Sequence, residues 1–156
     1  MPVLAFLGLY GASAVFRRWV LALDLHLLVA MQSWRVLGGM FLVLMVYGLL
    51  PGLFAWPAGL GDVAIGITAP FVLLAMLRNP GFVRQRRFLV WNLLGILDFV
   101  VAIGAGTLSS GMLPGLSGPI TAAPMNAWPL SMIPGFLVPL FAMMHLAAIF
   151  QARKVA

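Results

Sequence analysis

Apolar residues in this chain come in long unbroken blocks, not in the two-residue alternation of half-buried strands or the narrow stripes of water-facing helices. The blocks predict helices over Val3 to Phe16, Asp24 to Leu50, Asp62 to Leu77, Phe88 to Thr107 and Pro129 to Gln151. A helix needs about 17–25 residues to cross a bilayer. The second, fourth and fifth blocks meet that length and the third is near its lower limit. The first is short enough to dip into a membrane without crossing it. The stretches Pro51 to Leu60 and Leu108 to Trp128 read as connections.

Composition turns these helices into membrane spans. Of the 156 residues, 63% are hydrophobic and only 8% charged, and the mean hydropathy is +1.12. A soluble domain carries about 25% charged residues, so a water-facing surface cannot be built from this chain. In lipid, backbone groups are satisfied only within helices or a closed barrel, and continuous apolar runs exclude the barrel. The expected fold is therefore all-α: one integral membrane domain over residues 1–156, a transmembrane bundle with four to five spanning helices.

The net charge of +6 raises nucleic acid as a partner, but its distribution points to lipid. Arg17 and Arg18, then Arg78, Arg84, Arg86 and Arg87, then Arg153 and Lys154 flank apolar blocks, and the two connections between them hold no Lys or Arg. All basic clusters fall on one face, which the positive-inside rule makes cytoplasmic, with the C-terminus inside and anionic lipid as neighbour. Ala12-Ser13-Ala14 resembles a signal-peptide cleavage site, but the positive n-region of such a peptide is lacking. Trp19 and Trp91 on the inner side and Trp56 and Trp128 on the outer side read as an aromatic belt. Cysteine is absent, which removes disulfide and thiol chemistry.

Two charges interrupt the blocks. Arg35 is about 16 Å into the second helix and Asp98 about 15 Å into the fourth, at 1.5 Å rise per residue. Both helices run the same way, so the two charges share a depth near the midplane. Each costs about 2.5–3.5 kcal/mol at a helix centre, and a guanidinium–carboxylate pair relieves both. Gly38 and Gly39 thin the helix beside Arg35. Gly95, Asp98, Ala102 and Gly106 form a stripe of small residues that lets helices approach. Gln32 shares the arginine's face and is placed to bond the same carboxylate. The plain reading of the pair is fixed helix packing. The sharper one is a proton or transport site, and a third has Arg35 snorkelling away. LLPGL and MLPGL, ending at Leu53 and Leu116, stand equally far beyond Arg35 and Asp98, as in a faint repeat.

Asp62 reads as the N-cap of the third helix, with an outward-facing cation or proton site as its alternative. Pro70 is expected to bend that helix. His26 and His145, the two histidines, are the residues that a b-type haem would use, but an interfacial and a packed histidine account for them with no cofactor. Asn92 reads as a packing amide. With Asp24 beside His26 there are still too few ligands for zinc. Pro114, Pro119, Pro124, Pro129, Pro134 and Pro139 recur every five residues. The first three exclude a helix across the outer connection, Pro129 suits a first turn, and the last two should kink the fifth helix.

The stretches GGMFLVLMVYGLLPGLFAWPAGLGDVAIGITAP, LVWNLLGILDFVVA and MIPGFLVPLFAMMHL resemble small multi-pass bacterial membrane proteins of no assigned activity. The likeness covers most of Arg35 to Leu146 and implies a bacterial, inner-membrane location. It implies no cofactor and no site residue. No phosphate-cradling loop, metalloprotease helix or serine–histidine–acid set is present, so an enzyme is not expected. The expectation is a non-catalytic membrane component or accessory subunit, alone, as a homo-oligomer or within a larger complex. The alternative is a small proton-coupled transporter or channel using Arg35 and Asp98.

Overall fold

The structure, a computed structural model, describes residues 2–112 and 118–155. Helices account for most of these, and no strand occurs among the described residues. Four helical stretches are long and apolar enough to cross a membrane: Leu25–Val46, Gly52–Arg78, Arg86–Leu108 and Ile133–Lys154. They alternate in direction, which gathers the arginine-rich connections at one end, the basic end, and the proline-rich connection at the other. The second Leu-Pro-Gly-Leu of the suspected repeat, and Pro114, lie outside the described residues.

The expected single helix over Val3 to Phe16 is instead a bent pair, α1 (Pro2–Ala12) and α2 (Ala14–Ala22), meeting at 110°. The break is at Ser13, whose hydroxyl accepts the Phe16 N–H at 3.2 Å and starts a new helix. Arg17 then turns back and donates to the carbonyls of Tyr10 and Gly11, filling acceptors that a helix end leaves open. α1 lies against the last span, where Tyr10 stacks on Phe150 with centroids 4.1 Å apart. Gln151 ties down the end of α2 by donating to the Val20 and Leu23 carbonyls.

The next span is built from α3 (Leu25–Met31), a 3-10 segment (Gln32–Gly39) and α4 (Met40–Val46). Asp24 is its N-cap and accepts the N–H groups of His26 and Leu27. Those two bonds hold the Asp24 carboxyl below its usual value of 3.8. In a 3-10 helix residues three apart eclipse each other. Gln32, Arg35 and Gly38 therefore line up on the inner face, with Gln32 and Arg35 buried, while Trp34, Leu37 and Met40 line up on the exposed one.

The span expected at Asp62 to Leu77 begins ten residues earlier, as α5 (Gly52–Arg78). It stays helical through Pro57 and Pro70, and Pro70 does not interrupt it. Pro and Gly that would break a helix in water are tolerated in lipid, where a lost helix exposes unsatisfied backbone. α6 (Arg86–Leu108) matches the expected fourth helix within two residues at each end. The last span starts later than Pro129: Trp128 to Ser131 form a turn, Ile133–Leu137 a π turn, and α7 (Val138–Val155) follows. Val138 N–H bonds the Ile133 carbonyl, five residues back. The wide turn accommodates Pro139, which has no N–H and would crowd the carbonyl four residues before it.

Of the four apolar clusters among the described residues of the bundle, two bracket its middle. Val29, Ile65, Ala69, Met76, Phe88 and Ala148 pack in the basic half. Phe41, Leu50, Phe54, Ala58 and Met125 pack in the other half. Between them lies a layer of polar side chains.

Candidate functional site

The layer is centred on Arg35. Its Nε donates to Asp62 Oδ1 at 2.7 Å, and its Nη2 donates to Asp98 Oδ2. Nη1 reaches the Gly95 carbonyl at 3.3 Å and His145 Nε2 at 3.2 Å. The guanidinium carbon lies 4.0 Å from the centroid of the Phe99 ring. Arg35 is 3% exposed, so it does not snorkel.

Hydrogen bonding fixes the state of His145. The Phe88 carbonyl can only accept, so Asn92 turns its Nδ2 toward it at 2.9 Å. The Asn92 Oδ1 then faces His145 Nδ1, also at 2.9 Å, so Nδ1 carries the hydrogen. Nε2 is left with its lone pair, which accepts from Arg35. The ring is thus a neutral imidazole with both nitrogens engaged. Trp91 packs edge-on against it, centroids 5.3 Å apart, and donates its Nε1–H to Thr68. Trp91 is accordingly a core residue and not part of a belt, whereas Trp19, Trp34, Trp56 and Trp128 are exposed.

One hydrogen-bonded chain therefore joins all four spans: Arg35 from the 3-10 segment, Asp62 from α5, Asp98, Gly95 and Asn92 from α6, and His145 from α7. Glycines make the approach close enough. A Cβ on Gly38 would fall on Asp62, one on Gly61 on the Asp98 carboxylate, one on Gly95 on the His145 ring, and one on Gly66 on the Val36 backbone.

Several expectations are corrected here. Asp62 is not a helix cap, because the helix begins at Gly52 and buries Asp62 against Arg35. Gln32 does not bond the Asp98 carboxylate. Its amide donates to the Phe141 carbonyl at 3.3 Å, and its own Oε1 is buried with no protein partner. The two histidines sit in different settings. His26 is half-exposed beside Asp24, 3.4 Å from it, while both nitrogens of His145 are already engaged in the core. Among the described residues no three His, Asp or Glu side chains converge as metal ligands, and the space between Asp62, Asp98 and His145 is filled by the guanidinium.

Two cavities meet at this layer and share Phe41, Asp62, Phe99, Ile133 and Val138 in their walls. The smaller, about 240 Å³, leads past Phe54, Ala102 and Gly106 to Thr107, Ser110 and Asn126 at the proline-rich end. The larger, about 450 Å³, lies between the 3-10 segment and the π turn, where Trp34, Leu37, Met40 and Phe136 are exposed on the flank of the bundle. Arg35 lines the larger cavity, Asp62 lines both, and Asp98 lines neither.

Fold and site together describe a helical bundle with four helices long and apolar enough to cross a membrane, or five if the bent pair α1–α2 counts as one, joined by a charged layer partway along their length. A family model matches residues 1–153, and the chain belongs to that family, the Domain of unknown function (DUF8737). No curated protein and no solved structure matches it.

Proposed function

We infer that the chain is a non-catalytic, multi-pass membrane protein that works as a small carrier, exchanging a positive charge at Asp62. The observation that carries the reading is one guanidinium shared between two carboxylates, one of which also stands in the wall of both cavities. Arg35 balances one negative charge. His145, as a neutral imidazole, balances none. A second uncompensated charge in a dry interior costs several kcal/mol, so it draws a proton or another cation, and a path to Asp62 exists on two sides. The basic end faces the cytoplasm in this reading, since Lys and Arg are retained on that side and meet anionic lipid there. In this reading the membrane is a bacterial inner membrane. The reading uses no cofactor.

A second reading, a purely structural component or accessory subunit, is favoured by the saturation of the layer. Arg35 and His145 have their polar atoms matched on all sides, as in a joint that fixes the register of four helices. Proton uptake by the purified protein in liposomes, followed with an internal pH dye under an imposed potential, separates the two. The carrier predicts uptake above empty liposomes and at least a tenfold loss in Asp62→Asn. Uptake equal to empty liposomes, or unchanged in Asp62→Asn, leaves the structural component.

A further inference from the structure

The larger cavity specifies what such a carrier would take, an inference that rests on the exchange reading above. Its charged lining consists of Arg35 and Asp62. Asp98 faces Arg35 from α6, and His145 faces it from α7 as a neutral ring. One positive and two negative charges leave an excess of one negative charge. Asp98 packs against Gly61, away from either cavity, so the accessible share of that excess is at Asp62. An anion meets repulsion there, and a neutral solute leaves the charge unanswered. A monocation answers it. The rest of the wall is apolar and includes Trp34, Phe41, Phe136 and Phe141. Aromatic faces attract cations, and apolar walls suit a greasy body. The opening lies on the flank of the bundle, where Trp34 and Leu37 face away from the core, so entry is from among lipid tails.

We propose that the larger cavity binds a lipophilic monocation, an amine or quaternary ammonium on a compact apolar body, which enters sideways from the bilayer between the 3-10 segment and the π turn and sets its charge against Asp62.

The test uses three probes of one shape: benzyltrimethylammonium, its uncharged carbon isostere neopentylbenzene, and phenylmethanesulfonate. Each is titrated calorimetrically into the full chain in lipid nanodiscs, against empty nanodiscs. The cation should bind at least tenfold tighter than the neutral isostere, and Asp62→Asn should weaken it at least tenfold. Leu140 lines the cavity and is no part of the hydrogen-bonded layer, so Leu140→Trp fills the cavity and should abolish binding even if Asp62→Asn proves too unstable to purify. Equal binding of the cation and the neutral probe, or tighter binding of the sulfonate, overturns the proposal. So does no binding at all. If cation binding fails while Asp62-dependent proton uptake persists, only the cargo is wrong. If both fail, the exchange reading falls with it.

Discussion

Arg35→Met is the substitution with the most calculable consequence. It removes two charge-assisted bonds, to Asp62 and Asp98, and two weaker ones, to the Gly95 carbonyl and His145. Hydrogen bonds to charged groups contribute about 1.5–3 kcal/mol each, while polar contacts between membrane helices average about 0.6 kcal/mol. The sum, about 4–7 kcal/mol, is an upper figure, because two stranded carboxylates can escape the penalty by taking protons. Removing one partner of a buried pair costs about 3–5 kcal/mol, and we expect a loss of about 4 kcal/mol, roughly a thousandfold in the folding equilibrium. The assay is SDS-driven unfolding in mixed micelles, read by a variant whose sole tryptophan is Trp91. That ring is buried beside His145, whereas the other four are exposed and replaceable by Phe. Arg35→Met combined with Asp62→Asn and Asp98→Asn removes the stranded charges and should recover more than half of the loss. A single mutant within about 1 kcal/mol of the parent, well below the cost of a stranded buried charge, would refute the electrostatic account. So would a triple mutant as unstable as the single one.

Three further outcomes are expected. Gly66→Ala drives a Cβ into the Val36 backbone, which cannot rotate away, and should cost about 1–3 kcal/mol. Gly104→Ala meets nothing within 4 Å and should be neutral or stabilising by up to about 1 kcal/mol; the same SDS titration compares them, and equal stability contradicts the close approach. Asp24→Ala removes the cap of the first span and should lower the melting temperature. The folded carboxyl is held below its usual 3.8, so the cap's contribution is complete above that pH and fades as pH falls through the folded value. The gap in melting temperature between parent and Asp24→Ala should therefore be constant near neutrality and close in strong acid; a gap independent of pH would mean that the charge plays no part. In Gly95→Ala the new methyl falls on His145 and should shift Trp91 emission toward that of the unfolded chain, while an unchanged spectrum would argue against the packing of α6 on α7.

The class of fold was legible because continuous apolar blocks leave few alternatives in lipid. Arg35 and Asp98 were legible as buried charges because a charge inside such a block demands a partner. Asp62 reads as a helix cap for a local reason. FAWPAGLG carries a proline and two glycines just before it, and these spell a loop by the rules of water-soluble chains, whereas in the structure that stretch is the first turns of α5. Nothing in the sequence ties His145 and Asn92 to Arg35. A last span ending at Gln151 sets His145 too near the basic end. In the structure α7 continues through Arg153 and Lys154, and His145 lies about 15 Å from its end by the helical rise, level with Arg35. The 3-10 and π segments had weaker signals. Gly38-Gly39 and the Pro134/Pro139 pair marked departures from α geometry, but not which departure.

Those two departures bear on the carrier reading proposed above. A 3-10 run of more than about four residues is uncommon, and π turns are costly enough to be rare outside functional positions. Here an eight-residue 3-10 run and a π turn face each other across the larger cavity. A 3-10 helix rises about 0.5 Å more per residue than an α-helix. Converting eight residues to α geometry would therefore draw in that span by about 4 Å and rotate Trp34, Leu37 and Met40 relative to Arg35. The charged layer need not break for this to happen, since Arg35 is held by side chains from three other spans. A change confined to the cavity's two irregular walls, with the polar layer as pivot, would open or close the route to Asp62 on one flank alone.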